Sequence, residues 1–262
     1  MAKRDKILSF FTDTDDRTLA AKLYDQSELT AKIHTPKHSD FLDPHEQEIA
    51  RQVLLNIPEV TGLFYGGYEQ AERKRLVTIP FSYLGPPPAP HITAVQICGK
   101  FQYQAVTHRD CLGAVLGLGI KREVIGDILM LEDGCQILVE EEIAEYLQSN
   151  LTKIHQVSVQ VSKIDYEALR HGAERVKEIK TTLASLRLDT VASAGFGNSR
   201  SKMADEIAAE KLKVNWKPAK NAAQPIKQGD IISLRGRGRV EVAELFGQTK
   251  KGRFSVLLKR YL

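Results

Sequence analysis

The residues of this chain best suited to chemistry are cations near its carboxy-terminal end. Arg235-Gly236-Arg237-Gly238-Arg239 alternates guanidinium and glycine, so an extended backbone would direct three guanidinium groups to one side. Guanidinium groups pair well with phosphate. Upstream, Asn198-Ser199-Arg200-Ser201-Lys202 reads as the start of a helix that packs Met203, Ile207, Ala208 and Leu212. Arg200 and Lys202 fall in its first turn, where the helix dipole disfavours cations while the open amide donors favour an anion. Cations beside open amides make a phosphate site. The candidate set is Arg187, Ser199, Arg200, Ser201, Lys202, Lys213, Asn215, Lys227, Arg235, Arg237 and Arg239. Arg73, Lys74 and Arg75, with Lys121 and Arg122, form two further basic points as a secondary contact.

Other combinations carry less. His108-Arg-Asp-Cys111 with His91 upstream lacks the second ligand pair that structural zinc requires, so no metal site is expected. Gly117-Leu-Gly119 and Gly195-Phe-Gly197 lack the full spaced glycine set and follow no strand, so they read as helix ends rather than nucleotide loops. Glu132-Asp133 and Glu140-Glu141-Glu142 fall at a turn and a helix start, where charge placement explains them without catalysis. No cofactor is expected. Cys98, Cys111 and Cys135 include no Cys-x-x-Cys pair and read as reduced core residues.

Charge is segregated along the 262 residues. The net charge of +4 hides a carboxy-terminal stretch from Thr181 with 16 Lys and Arg against seven Asp and Glu, while residues 1–180 carry a net −5. A basic region on an acidic protein is the footprint of a polyanion binder, because neutralising phosphates releases counterions. The longest uninterrupted apolar runs are far shorter than a membrane span, and the apolar patch Ile7 to Phe11 is too short for a signal peptide. A cytoplasmic protein without membrane insertion is expected.

The elements that position these residues read as α+β. Asp13, Asp15 and Asp16 precede a helix over about residues 15–26, and Phe41-Leu42-Asp43-Pro44 offers an apolar staple, a cap and a first-turn proline for a second helix ending at Pro58. Gly62 to Tyr65 and Leu76 to Ile79 form a hairpin-like pair with a basic tip. Gly85-Pro86-Pro87-Pro88-Ala89-Pro90 marks a boundary. From His91 the order is β-α-β-β-α-β, the ferredoxin-like or RNA-recognition-motif-like arrangement. Its sheet lacks the aromatic signature for base stacking, with only Phe101 and Tyr103 in reach. Tyr166 to Ser185 reads as a connecting helix through Leu169, Val176, Ile179 and Leu183. The expected domains are 1–85, mostly helical with a hairpin; 86–165, βαββαβ; 166–184, a connecting helix; and 185–262, the basic domain.

That last region resembles the S-four RNA-binding domain, or αL motif. The matching residues are Arg187-Leu188-Asp189, Gly195, Ser199-Arg200-Ser201, Val214-Asn215, Gly229-Asp230 and Ile232. The chain departs from that family at Lys211 and Trp216, where glycine is usual. The remainder is similar to the YlmH-type branch, including the cyanobacterial and plant photosystem II S-four domain proteins. This likeness rests on Gly66-Gly67-Tyr68, Ala71 to Arg75, Asp110 to Gly113, Leu118 to Arg122 and Gly126-Asp127-Ile128. The resemblance implies a non-enzymatic protein that binds structured RNA, rRNA or tRNA on the large ribosomal subunit, in quality control of stalled translation. DNA specificity is not expected. The alternatives are an RNA-modifying enzyme of the pseudouridine synthase class, which uses aspartate in a Gly-Arg-Leu-Asp context, or a photosystem II assembly factor. No catalytic domain follows Asp189, which favours the binding reading.

Overall fold

In the computed structural model, which describes residues 3–101, 104, 106–170 and 176–261, the chain forms two compact units, Met1–Gly172 and Ala173–Leu262. Both mix helix and strand. The first unit begins with α1 (Lys3–Leu8) and α2 (Thr14–Ile33), the latter started by the Asp13 carboxylate, which accepts from the Asp15 and Asp16 amides. α2 runs well past the expected Gln26. Its buried face continues through Ser27 and Thr30, whose hydroxyls are satisfied by the Leu23 carbonyl and by Thr78, so the apolar period understates the helix.

Lys37–Leu42, expected only as an entry into the next helix, is strand β1. Asp43 and Glu46 then close a capping box over α3 (Pro44–Leu54), which ends short of Pro58. β2 (Val60–Tyr65) and β3 (Lys74–Pro80) are the expected antiparallel pair, with β1 on the far side of β3.

The unit continues with β4 (Ile92–Gly99), α4 (His108–Gly117), β5 (Ile125–Met130), β6 (Gly134–Glu140), α5 (Glu141–Asn150), the short β7 (Lys153–Ile154) and β8 (Val157–Ile164). The sheet order β5-β6-β4-β8, with β7 on the outer edge, is the expected split arrangement. α4 and α5 cover one face through Cys111, Val115, Ala144 and Leu147, packed on Val95, Ile97, Ile137 and Val139. Part of the opposite face is also covered. Phe41 packs with Ile92, Ala94 and Leu138, while Gln136 donates to the Gln96 side chain and to the Ala168 carbonyl. Of the two aromatics considered for this sheet, Phe101 is buried in the helix-side core and Tyr103 lies outside the described residues.

The expected connecting helix is not formed. After a single 3-10 turn at Tyr166–Ala168, the described chain resumes as strand β9 (Val176–Leu183), paired antiparallel along its length with the last strand. Val176, Ile179 and Leu183 fit a helical period, but Ile179, Thr181 and Leu183 fit an alternating one equally. The β-branched residues and the partner strand decide in favour of the sheet.

The second unit carries α6 (Leu188–Phe196), α7 (Arg200–Ala208), β10 (Leu212–Val214), β11 (Lys217–Pro218), β12 (Ile231–Leu234), β13 (Gly238–Gln248) and β14 (Phe254–Tyr261). Its sheet runs β11-β10-β12-β13-β14-β9. Leu188, Val191, Ala192 and Phe196 of α6, with Met203 and Ile207 of α7, bury against Leu212, Ile232, Val240 and Leu258. Gly195 is required at the contact, because a Cβ there would lie 2.6 Å from Val240.

Candidate nucleic-acid interface

The two helices of the second unit meet at Gly197, which takes the left-handed conformation that stops α6. Ser199 then caps α7 by accepting from the Lys202 amide at 3.2 Å. The amides of Arg200 and Ser201 have no partner among the described residues, so two open donors remain in the first turn of α7.

Asp189 organises this end. Its nearly buried carboxylate, 8% exposed, accepts from Arg187 Nε and Nη2 at 3.2 Å, from Arg200 Nη2 at 2.8 Å and from the Thr190 hydroxyl at 3.0 Å. Burial alone would raise the acid's pKa, but the hydrogen bonds from Arg200, Arg187 and Thr190 outweigh it and hold the group at about 2. The cluster presents two partly exposed guanidiniums with their counterion beneath them.

A second group of cations surrounds Glu206. Its carboxylate pairs with Lys211 at 2.9 Å, and that hydrogen bond holds it below the usual carboxylate range, with Lys202 and Arg237 contributing from nearby. The Arg235 amide donates to the Lys211 carbonyl, which joins the β12–β13 turn to the strand entering from α7. Arg235 and Arg237 are exposed on that turn. The three arginines of the Arg-Gly repeat therefore do not project from one extended strand, because Gly236 and Gly238 adopt positive φ and reverse the chain. Gly238 has no alternative, since a Cβ would lie 2.4 Å from the Tyr261 carbonyl oxygen. Arg239 lies in β13, its guanidinium 4.7 Å from the centre of the Tyr261 ring.

Lys213 and Lys227 are exposed. Asn215 has an internal role: its side chain donates to Asp230 and accepts from the Ile231 amide, both at 2.9 Å. Asn215 and Trp216 make the two-residue turn between β10 and β11 with φ of +47 and +66. The pair of positive angles marks a type I′ turn, in which a residue such as tryptophan costs of order 1 kcal/mol.

Comparison with known proteins places this arrangement. Residues 186–232 match the family described as "S4 domain", residues 90–168 "Putative RNA-binding domain in YlmH", and residues 15–80 "YlmH, N-terminal". The Ribosome-associated protein quality control protein P2 of Bacillus subtilis is 32% identical over 247 residues, 94% of this chain and 95% of that protein. This chain belongs to the YlmH family. The solved structure of Cell division protein ylmH from Streptococcus pneumoniae aligns with a TM-score of 0.52 at 22% identity, covering 61% of this chain and 98% of that one, a likeness of fold.

Within this YlmH chain the secondary basic points are placed differently from expectation. Arg75 is buried in β3, where it donates to the carbonyls of Ser39 and His91 and pairs with Glu140 at 3.3 Å. Arg73 donates to the carbonyls of Phe41 and Ile125, and Arg122 to those of Ile125 and Gly126. Burial, then the neighbouring Arg73, lower the Arg122 pKa to about 10. These arginines brace the first unit and form no basic tip. Lys74 reaches the Glu69 carbonyl, and Lys121 is exposed.

The acid that captures this segment escaped the sequence reading. Asp127 accepts from the Tyr68 hydroxyl and from the amides of Glu72 and Arg73, all within 3.0 Å. Its place in Gly126-Asp127-Ile128, one of the stretches that carried the resemblance, was the available signal.

Proposed function

We propose that this chain is a ribosome-associated RNA-binding factor that grips the phosphate backbone of structured RNA with its second unit and performs no chemistry on it. One observation carries the reading: Arg187, Arg200 and Lys202 gather at the start of α7, with Lys211, Arg235 and Arg237 beside them, on the module that matches the S4 domain. Arginines held at fixed spacing suit backbone and shape recognition of a folded RNA. The name of the Bacillus relative supports a ribosomal target. The finer proposal is the large subunit, with rRNA and retained peptidyl-tRNA as partners in a cytoplasmic setting. Among the described residues no helix is long and apolar enough to cross a membrane.

A sucrose gradient of the tagged protein at moderate salt, with crosslinking to identify the RNA touched, tests this. Co-migration with large subunits, enriched in cells with stalled translation, is the expected result; migration only with free protein sinks it. Arg200→Ala combined with Arg237→Ala should lower the log–log salt slope of RNA binding by roughly 1.4 to 1.8. Unchanged affinity and slope would show that the wrong surface has been chosen. Mass spectrometry of rRNA and tRNA nucleosides should show no new modification; one lost in Asp189→Asn would replace this reading with an enzymatic one.

A further inference from the structure

Residues 245–262 hold five cations, Lys250, Lys251, Arg253, Lys259 and Arg260, and no acid. Three of them are accounted for inside the second unit. Arg253 donates to the Thr182 hydroxyl at 3.1 Å and to the Thr182 carbonyl at 2.6 Å. Arg260 reaches the Phe196 carbonyl and lies 5.7 Å from the centre of that ring. Lys259 stands in register between Glu241 of β13 and Glu178 of β9. Lys250 and Lys251 are left over, exposed at the β13–β14 tip with no hydrogen bond or ion pair among the described residues.

The backbone of the tip is fixed in advance. The Thr249 amide donates to the Arg253 carbonyl at 2.7 Å, the Gly252 amide to the Thr249 carbonyl at 2.8 Å, and the Arg253 amide to the Thr249 hydroxyl at 3.2 Å. Gly252 closes the turn at φ +73, and the Arg253 side chain ties it to β9. β13 has 11 residues, so the tip stands about 30 Å from the β12–β13 turn that carries Arg235 and Arg237. Phe254 pairs with Leu183, so the tip adjoins the end of the sheet from which the chain passes to Arg187 and α6. The S4 match ends at residue 232, and the whole hairpin lies beyond it. We propose that Lys250 and Lys251 form a second phosphate contact, at the opposite end of β13 from Arg235 and Arg237, for an RNA duplex lying along that strand. This rests on the RNA-binding reading above and sets a minimum length for its ligand, because only a duplex spanning β13 engages both groups at once and gains from the second contact being intramolecular.

Two labelled RNA hairpins test it, with stems of roughly eight and roughly twenty base pairs at roughly 3 Å each, the shorter unable to span β13 and the longer able to. Anisotropy of the label at several salt concentrations gives affinity and slope. On the long stem, Lys250→Ala with Lys251→Ala should weaken binding roughly tenfold and lower the log–log salt slope by roughly 1.4 to 1.8. On the short stem the same variant should bind within about twofold of wild type. Lys250→Arg with Lys251→Arg should behave as wild type on both, because the charges remain. Lys100→Ala with Lys153→Ala, at exposed positions of the first unit, removes equal charge and should leave the long-stem slope unchanged. No loss in the alanine tip variant, equal losses on the two stems, or an equal loss in the first-unit control overturns the second contact while leaving RNA binding intact. Failure of the wild type to bind either hairpin removes the underlying reading and the second contact together.

Discussion

Arg200 at the start of α7 reaches back eleven residues to Asp189 in the first turn of α6, with Nη2 2.8 Å from Oδ2. Arg187 approaches the same carboxylate from the cap of α6, so a single acid fixes two guanidiniums that belong to different helices. Two effects oppose each other when Asp189 becomes Asn. Removing a negative charge from an RNA-binding face strengthens long-range attraction. Releasing two arginines means that both must be ordered again on binding, at about 0.5–1.5 kcal/mol each. The second effect should win, giving roughly a fivefold loss of affinity for a structured RNA at physiological salt. An increase in affinity would show that Asp189 only offsets charge.

The same cluster sets an acid limit on stability. Asp189 titrates at about 2 in the folded chain, below the ordinary aspartate value of 3.8. Its contribution is therefore complete above about pH 4 and is lost as pH falls through 2. The shift corresponds to about 1–2 kcal/mol once screening of the partly exposed arginines is allowed for. Urea melts of wild type and Asp189→Asn should differ by that amount at pH 6 and converge near pH 2. A difference that does not vary with pH would assign the stabilisation to packing rather than to the charge.

In the first unit, Arg75→Met should destabilise by about 3 kcal/mol, because the half-buried Glu140 carboxylate loses the cation 3.3 Å away. RNA affinity measured below the melting temperature should stay within twofold of wild type. A reduced salt slope with unchanged melting would restore Arg75 as a phosphate contact.

How far the sequence exposed this arrangement depended on whether neighbours along the chain or distant partners decide. The cap before Pro44, the stop at Gly197 and the helix start within Asn198 to Lys202 are local, and the sequence shows them directly. The cations at Arg200 and Lys202 were likewise visible as a first-turn anomaly. By contrast, β9 becomes a strand because β14, more than seventy residues away, pairs with it, and no local period distinguishes Ile179 and Leu183 on a helix from the same residues on a sheet. Arg73 and Arg75 looked like a solvent-exposed run because their acceptors are backbone carbonyls, which every sequence contains and none advertises. The Arg-Gly repeat misled for a related reason: glycine permits extension and reversal alike, and the antiparallel pairing of β12 with β13 settles the choice.

A final consequence lies at the far end of α7. Glu210 occupies the residue after the cap with φ +53, and the bonds from Glu210 N to the Ile207 carbonyl and from Lys211 N to the Glu206 carbonyl complete a Schellman motif. Glycine is the usual occupant because the position requires the left-handed region. Lys220, 3.7 Å from the Glu210 carboxylate and largely exposed, offers little that substitution would forfeit. Glu210→Gly should therefore stabilise the second unit by about 0.5–1 kcal/mol and raise its melting temperature by a few degrees. Glu210→Ala removes the same charge but keeps the Cβ, so it separates backbone strain from electrostatics on this basic face. The alanine variant should show no gain; if it matches the glycine variant in thermal melts, loss of the glutamate side chain rather than relief of backbone strain accounts for the change, and the left-handed position is not a source of instability.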